Sequence, residues 1–127
     1  MKKIKILVVI DALDALSTSS IKNNVYIVDS NQWLGSWQEG SCQLHTVAED
    51  GQFISWRATG ISAASQVNII AFSGDMVTQS ICTPQQSGEG IWEGRVEVRG
   101  GSGRYPYKIS VDVEGRSFSF SPYLDVQ

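Results

Sequence analysis

Between residues 91 and 120 the side chains alternate with a period of two, and no other feature constrains the fold as strongly. Trp92, Gly94, Val96 and Val98 interleave with Glu93, Arg95, Glu97 and Arg99, so a strand here would bury one face and wet the other. Beyond Gly100-Gly101-Ser102-Gly103 the pattern resumes, with Tyr105, Tyr107, Ile109, Val111 and Val113 against Lys108, Ser110, Asp112 and Glu114. After Glu114-Gly115, Phe118 and Phe120 alternate with Ser117, Ser119 and Ser121. Three alternating runs separated by two turn signals predict an antiparallel meander. Its register places Val96, Val111 and Phe118 inward, and Arg95, Glu97 and Lys108 outward.

The rest of the chain repeats the theme in shorter pieces. Ile4, Ile6, Val8 and Ile10 alternate with Lys3 and Lys5, which predicts a first strand, and the lack of a proline guard suggests an open sheet edge. Residues 25–28 form a second candidate. Residues 43–48 and 52–58 flank Asp50-Gly51, a pair suited to the positive φ angles of a tight hairpin turn. Residues 67–72 are apolar enough for a central strand, whereas 76–83 read as a weaker one that stops at Pro84. Only residues 11–17 have helical character, through Ala12, Leu13, Ala15 and Leu16. About eight short strands joined by turns predict an all-β fold, a single-domain antiparallel two-sheet β-sandwich over residues 1–127.

Size and charge narrow the function classes. A chain of 127 residues can bury roughly two-thirds of its unfolded surface, enough for a core without metal or disulfide support. Ten Lys and Arg against 13 Asp and Glu give a formal charge of -3, so no overall basic field favours nucleic acid or an anionic membrane. The apolar run from Ile6 to Ile10 is far shorter than the roughly 20 residues of a bilayer span. Lys5 precedes this run and Asp11 and Asp14 close it, which argues for a strand rather than a secretory signal. A cytoplasmic location follows as the expectation, and there Cys42 and Cys82 read as buried thiols rather than a disulfide.

Catalytic and metal constellations find little support. His45 is the only histidine, so a His-based metal cluster is excluded, and a Ser-His-Asp triad would have to use a strand residue. An exposed or hydrogen-bonded strand histidine is the simpler reading. Cys42 stands three positions before His45, on the opposite face of a regular strand, which does not favour a thiolate-imidazole pair. Gly100-Gly101-Ser102-Gly103 has strands on both sides, unlike a phosphate loop, and reads as a hairpin tip. Asp11, Asp14 and Asp29 would gather around calcium only if the first two strand ends converged; solvated strand ends, or a cap on the short helix, are the simpler reading. No cofactor is expected.

The most function-like stretch is Asn31-Gln32-Trp33-Leu34-Gly35-Ser36-Trp37-Gln38-Glu39-Gly40. Trp33 and Trp37, with Gln38 and Glu39 beside them, suit an aromatic platform with hydrogen-bonding neighbours, the combination that holds a sugar ring or a protein partner. The commoner fate of rings this large is to turn inward, where both would close one end of the sandwich. Trp56 and Trp92 lie on predicted strands and belong to the core.

Ile4-Lys5-Ile6-Leu7-Val8-Val9-Ile10-Asp11 resembles the opening of the bacterial AidA/PixA family of inclusion body proteins. Val25-Tyr26-Ile27-Val28-Asp29 is similar to the family's second strand, Ile54-Ser55-Trp56-Arg57-Ala58-Thr59 to its aromatic and arginine segment, and Phe118-Ser119-Phe120-Ser121-Pro122-Tyr123 to its closing strand. The likeness spans nearly the whole chain, which is shorter than typical members, and carries over no site residues. It implies a cytoplasmic bacterial β-sandwich without established enzymatic chemistry, associated with self-assembly or inclusion bodies and with host interaction. The expected function is a non-enzymatic homo-oligomer or partner-binding protein. The alternative is a lectin-like module that takes a glycan on residues 33–40, and a small hydrolase ranks third.

Overall fold

In the computed structural model, which describes residues 2–21, 23–30, 43–62 and 64–127, the first strand is β1 (Ile4–Ile10). Ile4, Ile6, Val8 and Ile10 are at most 2% exposed. Each such side chain gains about 1.5–3 kcal/mol on leaving water. Their period of two therefore fixes which face of β1 lies inward. Asp11 then caps helix α1 (Ala12–Thr18) by accepting the Asp14 N–H at 3.2 Å. Ala12 and Ala15 are the buried residues of that helix, and seven residues would not stay helical without such packing.

The chain continues through β2 (Val25–Asp29), β3 (His45–Ala48), β4 (Phe53–Gly60), β5 (Val67–Ser73), helix α2 (Asp75–Thr78), β6 (Gln85–Gly88), β7 (Ile91–Arg95), β8 (Gly103–Pro106), β9 (Lys108–Val113), β10 (Arg116–Phe120) and β11 (Tyr123–Val126). The all-β expectation holds. The finer expectation, two antiparallel sheets of about eight strands, does not. Among the described residues eleven strands form three sheets, ordered β2-β1-β4-β7-β6, β10-β9-β5 and β3-β11-β8. Two pairs, β1 with β4 and β3 with β11, are parallel. The buried side chains nevertheless form one contiguous cluster from Ile4 to Val126.

Parallel pairing explains why the hairpin expected around Asp50-Gly51 is absent. The turn itself forms, with Gly51 at φ 88° and the Gln52 N–H donating to the Glu49 carbonyl at 3.1 Å. Its flanks then part: β3 joins β11, and β4 joins β1 and β7. All four residues of β3 are buried, the pattern of a strand covered on both faces rather than of one arm of a half-wet hairpin. Pairing on both sides also makes β1 an interior strand, not the open edge expected of it.

The meander is likewise redistributed, and only its last hairpin survives. β9 and β10 pair through a tight turn with Glu114 at φ 51° and Gly115 at φ 87°, the mirror-image turn that suits strand twist. Residues 91–95 stay with β4, and the glycine-rich segment after them crosses to another sheet instead of forming a hairpin tip. The run 105–113 breaks at Tyr107, whose N–H donates to the Pro122 carbonyl at 3.1 Å. That break lets β8 pair with β11 while β9 pairs with β5 and β10. The expected faces survive the new connectivity: Val96 and Val111 are fully buried and Phe118 half-buried, while Arg95, Glu97 and Lys108 are exposed.

Two further elements differ from the sequence reading. β5 lies at the side of its sheet, because β9 takes the central place. Residues 75–78 form a helical turn whose Met76 is fully buried. Gly74, at φ 96°, allows this approach, since a Cβ there would stand 2.9 Å from the Tyr107 Cα.

Candidate functional site

The outward face of the five-stranded sheet departs from the composition that water favours. A one-sided sheet normally presents polar residues to solvent, yet β1 turns Leu7 and Val9 outward between its buried positions. Leu7 stands opposite Val28, and Val9 opposite Tyr26. Leu7, Tyr26 and Val28 are 36%, 42% and 38% exposed, so adjacent cross-strand pairs form one apolar surface.

Toward β7 the same face becomes cationic. Lys5 pairs with Ser55, which pairs with Glu93; one row along, Leu7 pairs with Arg57, which pairs with Ile91. These residues, with Lys3 and Ile6, line an open pocket of about 340 Å³. Lys3 forms a salt bridge with Glu93, and the Ser87 hydroxyl donates to the same carboxylate at 2.8 Å. First the Lys3 ammonium and then the Ser87 hydroxyl hold the Glu93 carboxyl below its ordinary range. Among the described residues neither Lys5 nor Arg57 has an acidic partner.

None of these positions carries a functional signature in the sequence, although the pattern that turns them outward is there. Once the period of β1 places Ile6 and Val8 inward, it must place Leu7 and Val9 outward. What the sequence does not show is that β2 and β4 lie on either side of β1, because that pairing joins distant segments.

The positions that were singled out behave differently. Trp33, Trp37, Gln38 and Glu39, with Cys42, lie outside the described residues. Cys82 is a free, buried thiol, pushed up to about 12 by burial. Trp56 is fully buried, whereas Trp92 is half-buried against the core. His45 stacks on Tyr123, its partner across β3 and β11, with ring centroids 4.4 Å apart. Its Nδ1 lies 3.2 Å from Asp125 Oδ2, and Arg104 Nε donates to Asp125 Oδ1 at 2.8 Å. The hydrogen-bonded strand histidine is thus found, and it ties β3 to β11.

The acidic trio does not gather. β2 runs antiparallel to β1, placing Asp29 opposite Ile6 while Asp11 follows Ile10 at the other end. Asp29 is buried rather than a solvated strand end, and accepts the Thr46 hydroxyl at 2.8 Å. Two amides of the glycine-rich segment are engaged: the Gly100 N–H donates to the Asp50 carboxylate at 2.9 Å, which also accepts the Val98 N–H at 2.9 Å, and the Gly101 N–H donates to the Val98 carbonyl at 3.0 Å.

A family model described as a domain of unknown function, DUF8788, matches residues 2–119. None of the curated proteins matches. Among solved structures, the chain is similar to an inclusion body protein, PixA, from Burkholderia cenocepacia J2315, with a TM-score of 0.69 and 14% identity over 98% of this chain and 93% of that one. At 14% identity the likeness to PixA is one of fold. A nucleoside hydrolase-related hypothetical protein from Saccharophagus degradans, associated with carbohydrate metabolism, matches 65% of this chain and 22% of its own at a TM-score of 0.49 and 12% identity.

Proposed function

Because the chain belongs to the DUF8788 family, whose function is unknown, we propose its role from its surface: a non-enzymatic protein that associates with copies of itself through the outward face of β1 and β2. The observation that carries this reading is the adjoining outward pairs Leu7 with Val28 and half-buried Val9 with Tyr26, of which Leu7, Val28 and Tyr26 are exposed. Contiguous apolar surface of this kind marks interaction sites far more often than scattered exposed residues do. β2 is also the outermost described strand of its sheet, and Val25–Asp29 contains neither proline nor lysine to guard that edge. The fold shared with an inclusion body protein supports the same reading. The buried free thiol of Cys82 accords with a cytoplasmic setting.

Sedimentation velocity from micromolar to millimolar concentration tests this directly. Wild type should sediment as a dimer or larger species, and the double variant Tyr26→Gln, Val28→Gln should shift toward monomer with its thermal midpoint little changed. A strictly monomeric wild type, or a variant that associates equally well, would sink the proposal. The lectin-like reading of residues 33–40 rests on Trp33 and Trp37 in the sequence, and a glycan screen of wild type against the Trp33→Ala, Trp37→Ala variant decides it.

A further inference from the structure

We propose that the pocket between β1, β4 and β7 binds a small amphipathic carboxylate, its head between Lys5, Ser55 and Arg57 and its apolar body along Leu7 and Ile91. This assignment does not rest on self-association. Charge is the first argument. Among the described residues the pocket gathers Lys3, Lys5 and Arg57 against one carboxylate, that of Glu93, in a chain whose net charge is -3. Lys3 is committed to Glu93, which leaves Lys5 and Arg57 diagonal to one another across the β1–β4 pair, with Ser55 directly opposite Lys5.

The shape of that arrangement selects the head group. A guanidinium presents a planar fork that matches a carboxylate through two parallel hydrogen bonds, and the Ser55 hydroxyl adds a neutral donor beside it. Glu93 is already neutralised by Lys3, so the planar match to Arg57 and the apolar residues beside it, rather than repulsion, select a carboxylate over a phosphate ester. The remaining described lining is apolar, with Leu7 and Ile91 on the two sides of Arg57. A volume of about 340 Å³ falls at the lower end of small-molecule pockets, roughly 300–1,000 Å³. An organic acid with a short apolar body uses both halves of the lining.

Decanoate, below its micellar concentration, is the probe, with decanol and decyltrimethylammonium as neutral and cationic controls. Titration followed by amide chemical shifts should give saturable binding of decanoate with perturbations at Lys5, Leu7, Ser55, Arg57 and Ile91. Arg57→Gln and Lys5→Gln should each weaken it by at least about tenfold, the loss expected for one charge-assisted hydrogen bond. Arg95→Gln removes a cation that lies over Phe53 on the same sheet but outside the pocket, and should leave the affinity unchanged. All three side chains are exposed, and thermal midpoints confirm that the variants fold. The Tyr26→Gln, Val28→Gln variant should retain decanoate binding even where association is lost. The proposal is overturned if decanoate does not saturate, if decanol binds as tightly, if Arg95→Gln weakens binding as much as Arg57→Gln, or if binding disappears together with association.

Discussion

Trp56 Nε1 donates a hydrogen bond to Tyr107 Oη across 3.2 Å inside the core. Trp56 belongs to the five-stranded sheet, and Tyr107 sits at the break where β8 gives way to β9, so this one bond joins a sheet to the crossover between the other two. Phe72 from β5 packs against both rings, at centroid distances of 5.0 and 6.3 Å. Burial raises the Tyr107 phenol above its ordinary value, and the hydrogen bond with Trp56 partly offsets that rise.

Tyr107→Phe keeps the ring and removes the acceptor. Trp56 Nε1 would then be a buried donor without a partner, which costs about 1–3 kcal/mol. Urea unfolding should show a lower midpoint with an unchanged slope, because the surface exposed on unfolding is the same. A stability equal to wild type would mean that the bond does not hold the crossover in place. Trp92 offers a comparison, since its Nε1 is already buried without a hydrogen-bond partner among the described residues.

The inward and outward faces of the strands were legible in the sequence, and their partners were not. Ile4, Ile6, Val111 and Lys108 sit where a period of two places them, because that alternation follows from the backbone of each strand alone. Pairing is a different matter. Asp50-Gly51 makes the turn its residue types favour, but the destinations of β3 and β4 depend on β11 and β1, segments far away in the chain. β6, with four exposed polar and glycine positions, and β11, which begins just after Pro122, lacked a long alternating run and were missed. The candidate surface was half legible: the outward Leu7 can be read from β1, but its neighbours Val28 and Arg57 come from two other strands.

Gly94 and Cys82 should be energetically coupled. A Cβ at Gly94 would stand 2.6 Å from the Cys82 Sγ and 3.4 Å from Pro84, so Gly94→Ala overpacks this point at a cost of about 1–3 kcal/mol. Cys82→Ala removes the sulfur that the new methyl would strike. Measured by denaturant unfolding, the double variant should be less destabilised than the sum of the single changes, with a coupling of at least about half a kcal/mol. Strict additivity would show that Pro84 and the backbone, rather than the thiol, impose glycine at this position.

Asp50 makes the last prediction, which depends on pH. Its carboxylate accepts the N–H groups of Val98 and Gly100, and this holds a segment in which Arg99 adopts φ 53°. The Val98 bond first, and then the Gly100 bond, lower the Asp50 pKa from 3.8. A depressed native pKa means that the unfolded chain takes up the proton first as the solution is acidified. The stabilisation is therefore complete above pH 3.8 and is lost as pH falls through the lower native value. Asp50→Asn keeps the shape but discards the charge and turns one acceptor into a donor. Its thermal midpoint should lie below that of wild type at neutral pH, and the two should converge under strongly acidic conditions. A gap between the two midpoints that stays constant down to the lowest pH at which both proteins remain folded would show that the carboxylate charge is not what holds residues 96–100 in place.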